Sequence, residues 1–85
     1  MKIVHEATTV KKAFLIEGES DYELQHYDTI IFKVTRDREL VFARKCSPTS
    51  TKAIHQVCDY LNLDFEQVRK QMVPFNDFHK YDYGA

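Results

Sequence analysis

Two runs rich in β-branched and aromatic residues, Thr29-Ile30-Ile31-Phe32-Lys33-Val34 and Leu40-Val41-Phe42-Ala43-Arg44-Lys45, flank the charged segment Arg36-Asp37-Arg38-Glu39. Such runs suit a pleated, half-buried surface, and the short polar link between them predicts a β-hairpin. With Thr35 opposite Leu40, Ile30, Phe32, Val34, Val41 and Ala43 share one face. Ile31, Leu40, Phe42, Lys33 and Arg44 share the other. Apolar residues on both faces predict a hairpin central in its sheet. Tyr22 to Tyr27 reads as a further strand entering it through Asp28.

Earlier in the chain, Val10 to Glu17 alternates with Val10, Phe14 and Ile16 on one side, a strand pattern. The spacing of Ile3, Ala7, Val10 and Phe14 is the competing helical reading, and residues 2–17 stay open between the two. Gly18 ends the element either way. After the hairpin the period changes. Ser47-Pro48, or Ser50-Thr51, opens a helix, because a hydroxyl can cap it and proline suits its first turn. Ile54, Val57, Cys58 and Leu61 fall at i, i+3, i+4 and i+7, one apolar stripe that Asn62 to Leu63 interrupts. Asp64 with Gln67 opens a second short helix. Phe65, Val68 and Met72 form its buried side, and Pro74 ends it. Strands followed by helices predict an α+β fold: an antiparallel sheet with a central hairpin, packed by one or two C-terminal α-helices. At 85 residues, 44% hydrophobic and 29% charged, the chain makes one small domain, 1–85, with an aromatic tail at 75–85.

A core this small leaves little volume for a deep cofactor site, so a function using the outer surface is expected, with no cofactor. Net charge is −1, but Glu17 to Asp28 holds five acids and no lysine or arginine, while Lys33 to Lys52 holds six bases against two acids. The resulting field steers partners. A pI near 6.4 argues against a dedicated nucleic-acid binder. No apolar run approaches the roughly 20 residues that span a bilayer, so no membrane partner is expected. The opening Met1-Lys2-Ile3-Val4-His5-Glu6 is too soon charged for a signal peptide, and two cysteines are too few for a secreted disulfide framework. A cytoplasmic location is the expectation.

Candidate chemistry is sparse. Cys46, His55 and Cys58 could ligate zinc with His26, His5 or His79, but paired C-x-x-C spacing is missing, and Cys58 lies in an apolar stripe. The same placement opposes a Cys–His nucleophile pair. Glu17, Glu19, Asp21 and Glu23 suit a charged sheet edge better than a divalent-metal loop, since no Gly-rich calcium pattern accompanies them. There is no phosphate-cradling Gly-rich loop, nucleophile elbow or H-E-x-x-H. The expectation is no catalytic residue and no metal site, and the chain is read as not an enzyme. Lys33, Arg36, Arg38, Arg44, Lys45 and Lys52 are candidate phosphate contacts, with Tyr27, Phe32 and Phe42 as stacking faces, for a second reading as a nucleic-acid module. A zinc-stabilised domain or small metal-dependent enzyme is a third. Phe75, Phe78, Tyr81 and Tyr83 crowd the last eleven residues and are candidate contacts for a protein partner or a second copy, because aromatics with polar ends anchor interfaces. The competing reading has this tail cover an open face of its own sheet.

From Leu24 to Leu61 the chain resembles a family of small, uncharacterised proteins found mainly in bacteriophages and their relatives. That family shows Y-x-T entering a hairpin and S-x-T-[ST]-[ST]-[KR]-H opening a helix. The matching residues are Tyr27-Asp28-Thr29 and Ser47-Pro48-Thr49-Ser50-Thr51-Lys52, with Ala53 where the family has histidine. The resemblance implies phage origin, a hairpin–helix unit and no known catalytic residues. Together these features predict a non-enzymatic phage accessory protein in the host bacterial cytoplasm. It would bind and modulate or inhibit a host protein of defence, transcription or replication.

Overall fold

The computed structural model describes residues 2–74. They form a small α+β fold with one six-stranded mixed sheet in the order β1-β2-β3-β4-β5-β6. The strands are β1 (Lys2–Val4), β2 (Ala13–Glu17), β3 (Asp21–His26), β4 (Thr29–Thr35), β5 (Leu40–Lys45) and β6 (Val73–Pro74). A 3-10 turn at His5–Ala7 follows β1, and α1 (Pro48–Tyr60) and α2 (Phe65–Lys70) lie between β5 and β6. Residues 2–17 are thus strand, turn and strand rather than one helix.

The first five strands form an antiparallel meander, as short sequential links favour. The expected all-antiparallel sheet fails at one edge, where β6 runs parallel to β5 with Arg44 beside Val73 and Lys45 beside Pro74. Pro74 therefore lies in a strand rather than ending the second helix, which stops at Lys70. An edge strand tolerates proline because one side of it needs no N–H donor. The hairpin holds the fourth and fifth places in the sheet, and β3–β4 is the middle pair.

Two bulges change which side chains face the core. Leu24 pairs with Phe32 but Gln25 with Ile30, so Ile31 is the extra residue of β4. Ile31 and Phe32 consequently both turn inward, 1% and 0% exposed, although simple alternation separates them. The expected Thr35–Leu40 pairing is replaced by Val34 opposite Leu40, with Val41 as the extra residue of β5 and exposed. In β2 Phe14 and Ile16 share one side of the sheet, as their alternation predicts, while Val10 packs against the core instead. Ala13 and Leu15 are buried, while Phe14 and Ile16 lie on the opposite side of the sheet.

The core lies between α1 and one sheet face. Leu15, Tyr22, Leu24, Ile31, Phe32, Val34 and Ala43 meet Ala53 and the helical stripe read from the sequence, Ile54, Val57, Cys58 and Leu61. Ser47 caps α1 by accepting from the Ser50 N–H at 3.1 Å, and Pro48 occupies the first turn, where its missing N–H costs nothing. Asn62, at φ 61°, reverses the chain after α1, and the Leu63 N–H returns to the Cys58 carbonyl at 2.7 Å. That is a Schellman closure, with asparagine in the left-handed position usually given to glycine. Asp64 caps α2 through the Glu66 N–H at 3.0 Å, and Val68, with the half-buried Phe65 and Met72, packs it on the core.

Candidate functional sites

Two features of the described residues stand out as surfaces able to bind something: the sheet face away from α1, and the place where the start of α1 meets the β3–β4 turn. Register assigns the first. Ile3 pairs with Ile16, Phe14 with Gln25, Ile16 with Glu23, and Gln25 with Ile30, while Lys33 stands between Glu23 and Phe42. Directly paired residues share a face, so these side chains form one surface. Phe14, Ile16, Ile30 and Phe42 are half-buried there, Ile3 is 47% exposed, and none of them packs against the core cluster. Lys33 Nζ lies 3.4 Å from Asp21 and 3.5 Å from Glu23. Two carboxylates sharing one ammonium leave this three-residue cluster one negative charge in excess, with the Arg44 guanidinium over the neighbouring Phe42 ring.

The second surface is assembled from three segments. The residue after β3, Tyr27, has φ 59°, an unusual conformation for a bulky side chain, and its ring is 63% exposed beside the His26 ring at 4.8 Å. Its N–H is held by the Lys12 carbonyl at 2.8 Å, which fixes the 8–12 loop against the turn. Gln56 of α1 holds the same loop from the other side. Its Oε1 accepts from Thr8 Oγ1 at 2.5 Å and the Thr9 N–H at 2.9 Å, and its Nε2 donates to Thr9 Oγ1 at 3.0 Å. Between these supports lie two adjoining depressions, of about 390 and 460 Å³, that share His26, Tyr27 and Ser47. Thr29, Ile31, Cys46 and Ser50 complete one, and Val10, Lys11, Thr49 and Lys52 the other. His26 is 92% buried and its Nδ1 lies 2.8 Å from Ser50 Oγ.

The six candidate phosphate contacts are not gathered into one track. Lys33 is held by Asp21 and Glu23. Arg36 lies 3.3 Å from Glu17, donates to the Gly18 carbonyl at 2.7 Å and sits over the Tyr22 ring. Arg38 covers the same ring and donates to the Leu61 carbonyl at 3.0 Å, tying the hairpin turn to the C-terminal end of α1. Arg44 is buried above the Phe42 ring, Lys45 is exposed at the end of β5, and Lys52 lies on α1. Of the three stacking candidates, Phe32 is wholly buried, Phe42 is on the outer sheet face and Tyr27 is exposed. Phe75, Phe78, Tyr81 and Tyr83, and the tail at 75–85 as a whole, lie outside the described residues.

Cys46, His55 and Cys58 do not converge. Cys46 is exposed and Cys58 fully buried. Burial, followed by the nearby Asp59 and Asp64 charges, pushes the Cys58 thiol up to about 12. His55 stacks on Phe65 at 4.1 Å, with its Nε2 4.0 Å from the Asp59 carboxylate. Among the described residues no three His, Cys, Asp or Glu side chains are grouped to hold a metal ion. No described helix is long and apolar enough to cross a membrane. The His26–Ser50 contact was missed by sequence reasoning, which treated Ser50 only as a helix-start hydroxyl and His26 only as a spare zinc ligand. No family model, curated protein or solved structure matches the chain.

Proposed function

We propose that this chain is a non-enzymatic phage accessory protein that binds and modulates a host bacterial protein through the sheet face opposite α1. The observation that carries this reading is the apolar surface of Ile3, Phe14, Ile16 and Ile30, which the described helices leave outside the core. Apolar area of this kind contributes about 25 cal/mol per Å² when a partner removes it from water. Large exposed apolar patches on soluble domains mark interaction sites. The excess negative charge at Asp21, Glu23 and Lys33 selects the partner's chemistry: an apolar contact surface carrying a lysine or arginine that can join the cluster. Phe75, Phe78, Tyr81 and Tyr83 of the tail are proposed as further contacts on the aromatic-anchor argument.

The test is cross-linking capture from bacterial lysate with mass spectrometry, using wild-type protein beside Phe14→Lys and Ile16→Lys variants. A specific partner should be captured by the wild type and lost from both variants, whose circular dichroism should remain that of the wild type. Removing residues 76–85 should weaken the same capture. Equal capture by folded wild-type, Phe14→Lys and Ile16→Lys proteins would remove the sheet face from the interface.

A further inference from the structure

We propose that the joined depressions at the start of α1 bind a mononucleotide, with its phosphate between His26, Lys11 and Lys52 and its base on the Tyr27 ring. The inference does not depend on the sheet face, which lies on the other side of the molecule.

A hydroxyl relay leads from Ser47 through Ser50 to His26. Ser47 Oγ accepts the Ser50 N–H at 3.1 Å and can donate its own proton to Ser50 Oγ, 3.2 Å away. Ser50 can then give its hydroxyl proton to His26 Nδ1. A neutral imidazole that accepts at Nδ1 carries its proton at Nε2. That assignment comes from the hydrogen-bond network. Nε2 has no hydrogen-bond partner among the described residues, yet it keeps some accessible surface. An otherwise buried side chain lining both depressions therefore retains one unused ring nitrogen, a donor in that tautomer.

The lining around that donor has a single sign. Lys11 and Lys52 supply two positive charges, and among the described residues neither depression is lined by an aspartate or glutamate. The Thr49 N–H belongs to the first turn of a 13-residue helix, where backbone donors and the helix dipole favour an anion. Donors from a buried histidine, two lysines and a helix start suit the three oxygens of a phosphate better than the two of a carboxylate. Tyr27 decides between free phosphate and a phosphate ester of an aromatic base. Its ring is exposed at the rim of both depressions, and a base can stack on it. The volumes fall in the range of small-molecule sites.

The experiment titrates adenosine monophosphate, uridine monophosphate, adenosine and inorganic phosphate into the full chain, following backbone amide shifts by nuclear magnetic resonance. Both nucleotides should move the amides of Thr49, Ser50, His26 and Tyr27, and bind about tenfold or more tightly than inorganic phosphate or adenosine. Tyr27→Asn removes the ring while keeping a residue that tolerates positive φ. It should reduce nucleotide affinity to that of phosphate and leave phosphate binding unchanged. Lys52→Ala and Lys11→Ala, both at exposed positions, should weaken nucleotide and phosphate alike and reduce the salt dependence of each. His26→Gln should weaken both as well, and the lysine variants keep the test decisive if it does not fold. Phosphate binding as tightly as the nucleotides would overturn the nucleotide assignment. Shifts elsewhere in the fold, no binding at millimolar ligand, or affinity unchanged in the lysine variants would overturn the site itself.

Discussion

Replacing Gln56 by alanine tests whether the 8–12 loop is held by one side chain. Gln56 makes three hydrogen bonds to Thr8 and Thr9, across 48 and 47 residues of sequence. At about 0.5–1.5 kcal/mol each, their loss costs roughly 1.5–4.5 kcal/mol. Thr9 is exposed, so water replaces part of what its two bonds contribute, and the lower half of the range applies. Alanine also returns a few tenths of a kcal/mol in helix propensity. The net expectation is a loss of about 1–2.5 kcal/mol, which lowers the thermal midpoint of a domain this size by roughly 4–20 °C. Equilibrium urea unfolding should show the midpoint falling with an unchanged slope. Hydrogen exchange should accelerate at the Thr9 amide, whose acceptor is gone. Gln71→Ala serves as a control, since Gln71 is exposed and its side chain bonds only within its own segment. If Gln56→Ala and Gln71→Ala have the same stability and Thr9 exchange is unaltered, the loop is held by something other than this side chain.

Ser47→Ala should cost about 1–2 kcal/mol by removing the α1 cap, and Ser47→Gly only a few tenths; equal losses in thermal melts would count against the cap. Phe32→Ala, at a fully buried position, should cost about 3–5 kcal/mol and leave a marginal domain, measured by urea unfolding. Cys46 should react with a thiol reagent in the native state, while Cys58 reacts only after denaturation, so mass spectrometry should find one adduct and then two. Because folding raises the Cys58 pKa from 9.0 to about 12, the unfolded chain releases that proton first. Stability should therefore be full below pH 9 and decline as pH rises towards 12, less steeply in a Cys58→Ala variant.

The sequence by itself determined the elements whose signals are local. The hairpin strands, the stripe of Ile54, Val57, Cys58 and Leu61, and the cap at Asp64 depend on residues within a few positions of one another, and each is in the structure. Of the two helix starts left open at Ser47 and Ser50, the structure uses Ser47. Alternation could not reveal the bulges at Ile31 and Val41, because a bulge depends on how the neighbouring strand pairs. It therefore grouped Ile30 and Val41 on one face with the buried Phe32, Val34 and Ala43. The parallel β6 strand was equally hidden. Val73-Pro74 has only two residues of pattern, and its pairing is set by where α2 returns the chain. The same limit governs the site at the start of α1. Lys11, His26 and the α1 residues Ser50 and Lys52 come from three separate parts of the chain, and no short motif joins them. Their meeting was decided by the antiparallel pairing of β2 with β3 and the packing of α1 on the sheet. Local periodicity encodes which residues seek burial, whereas long-range register and packing determine which polar groups end up within bonding distance.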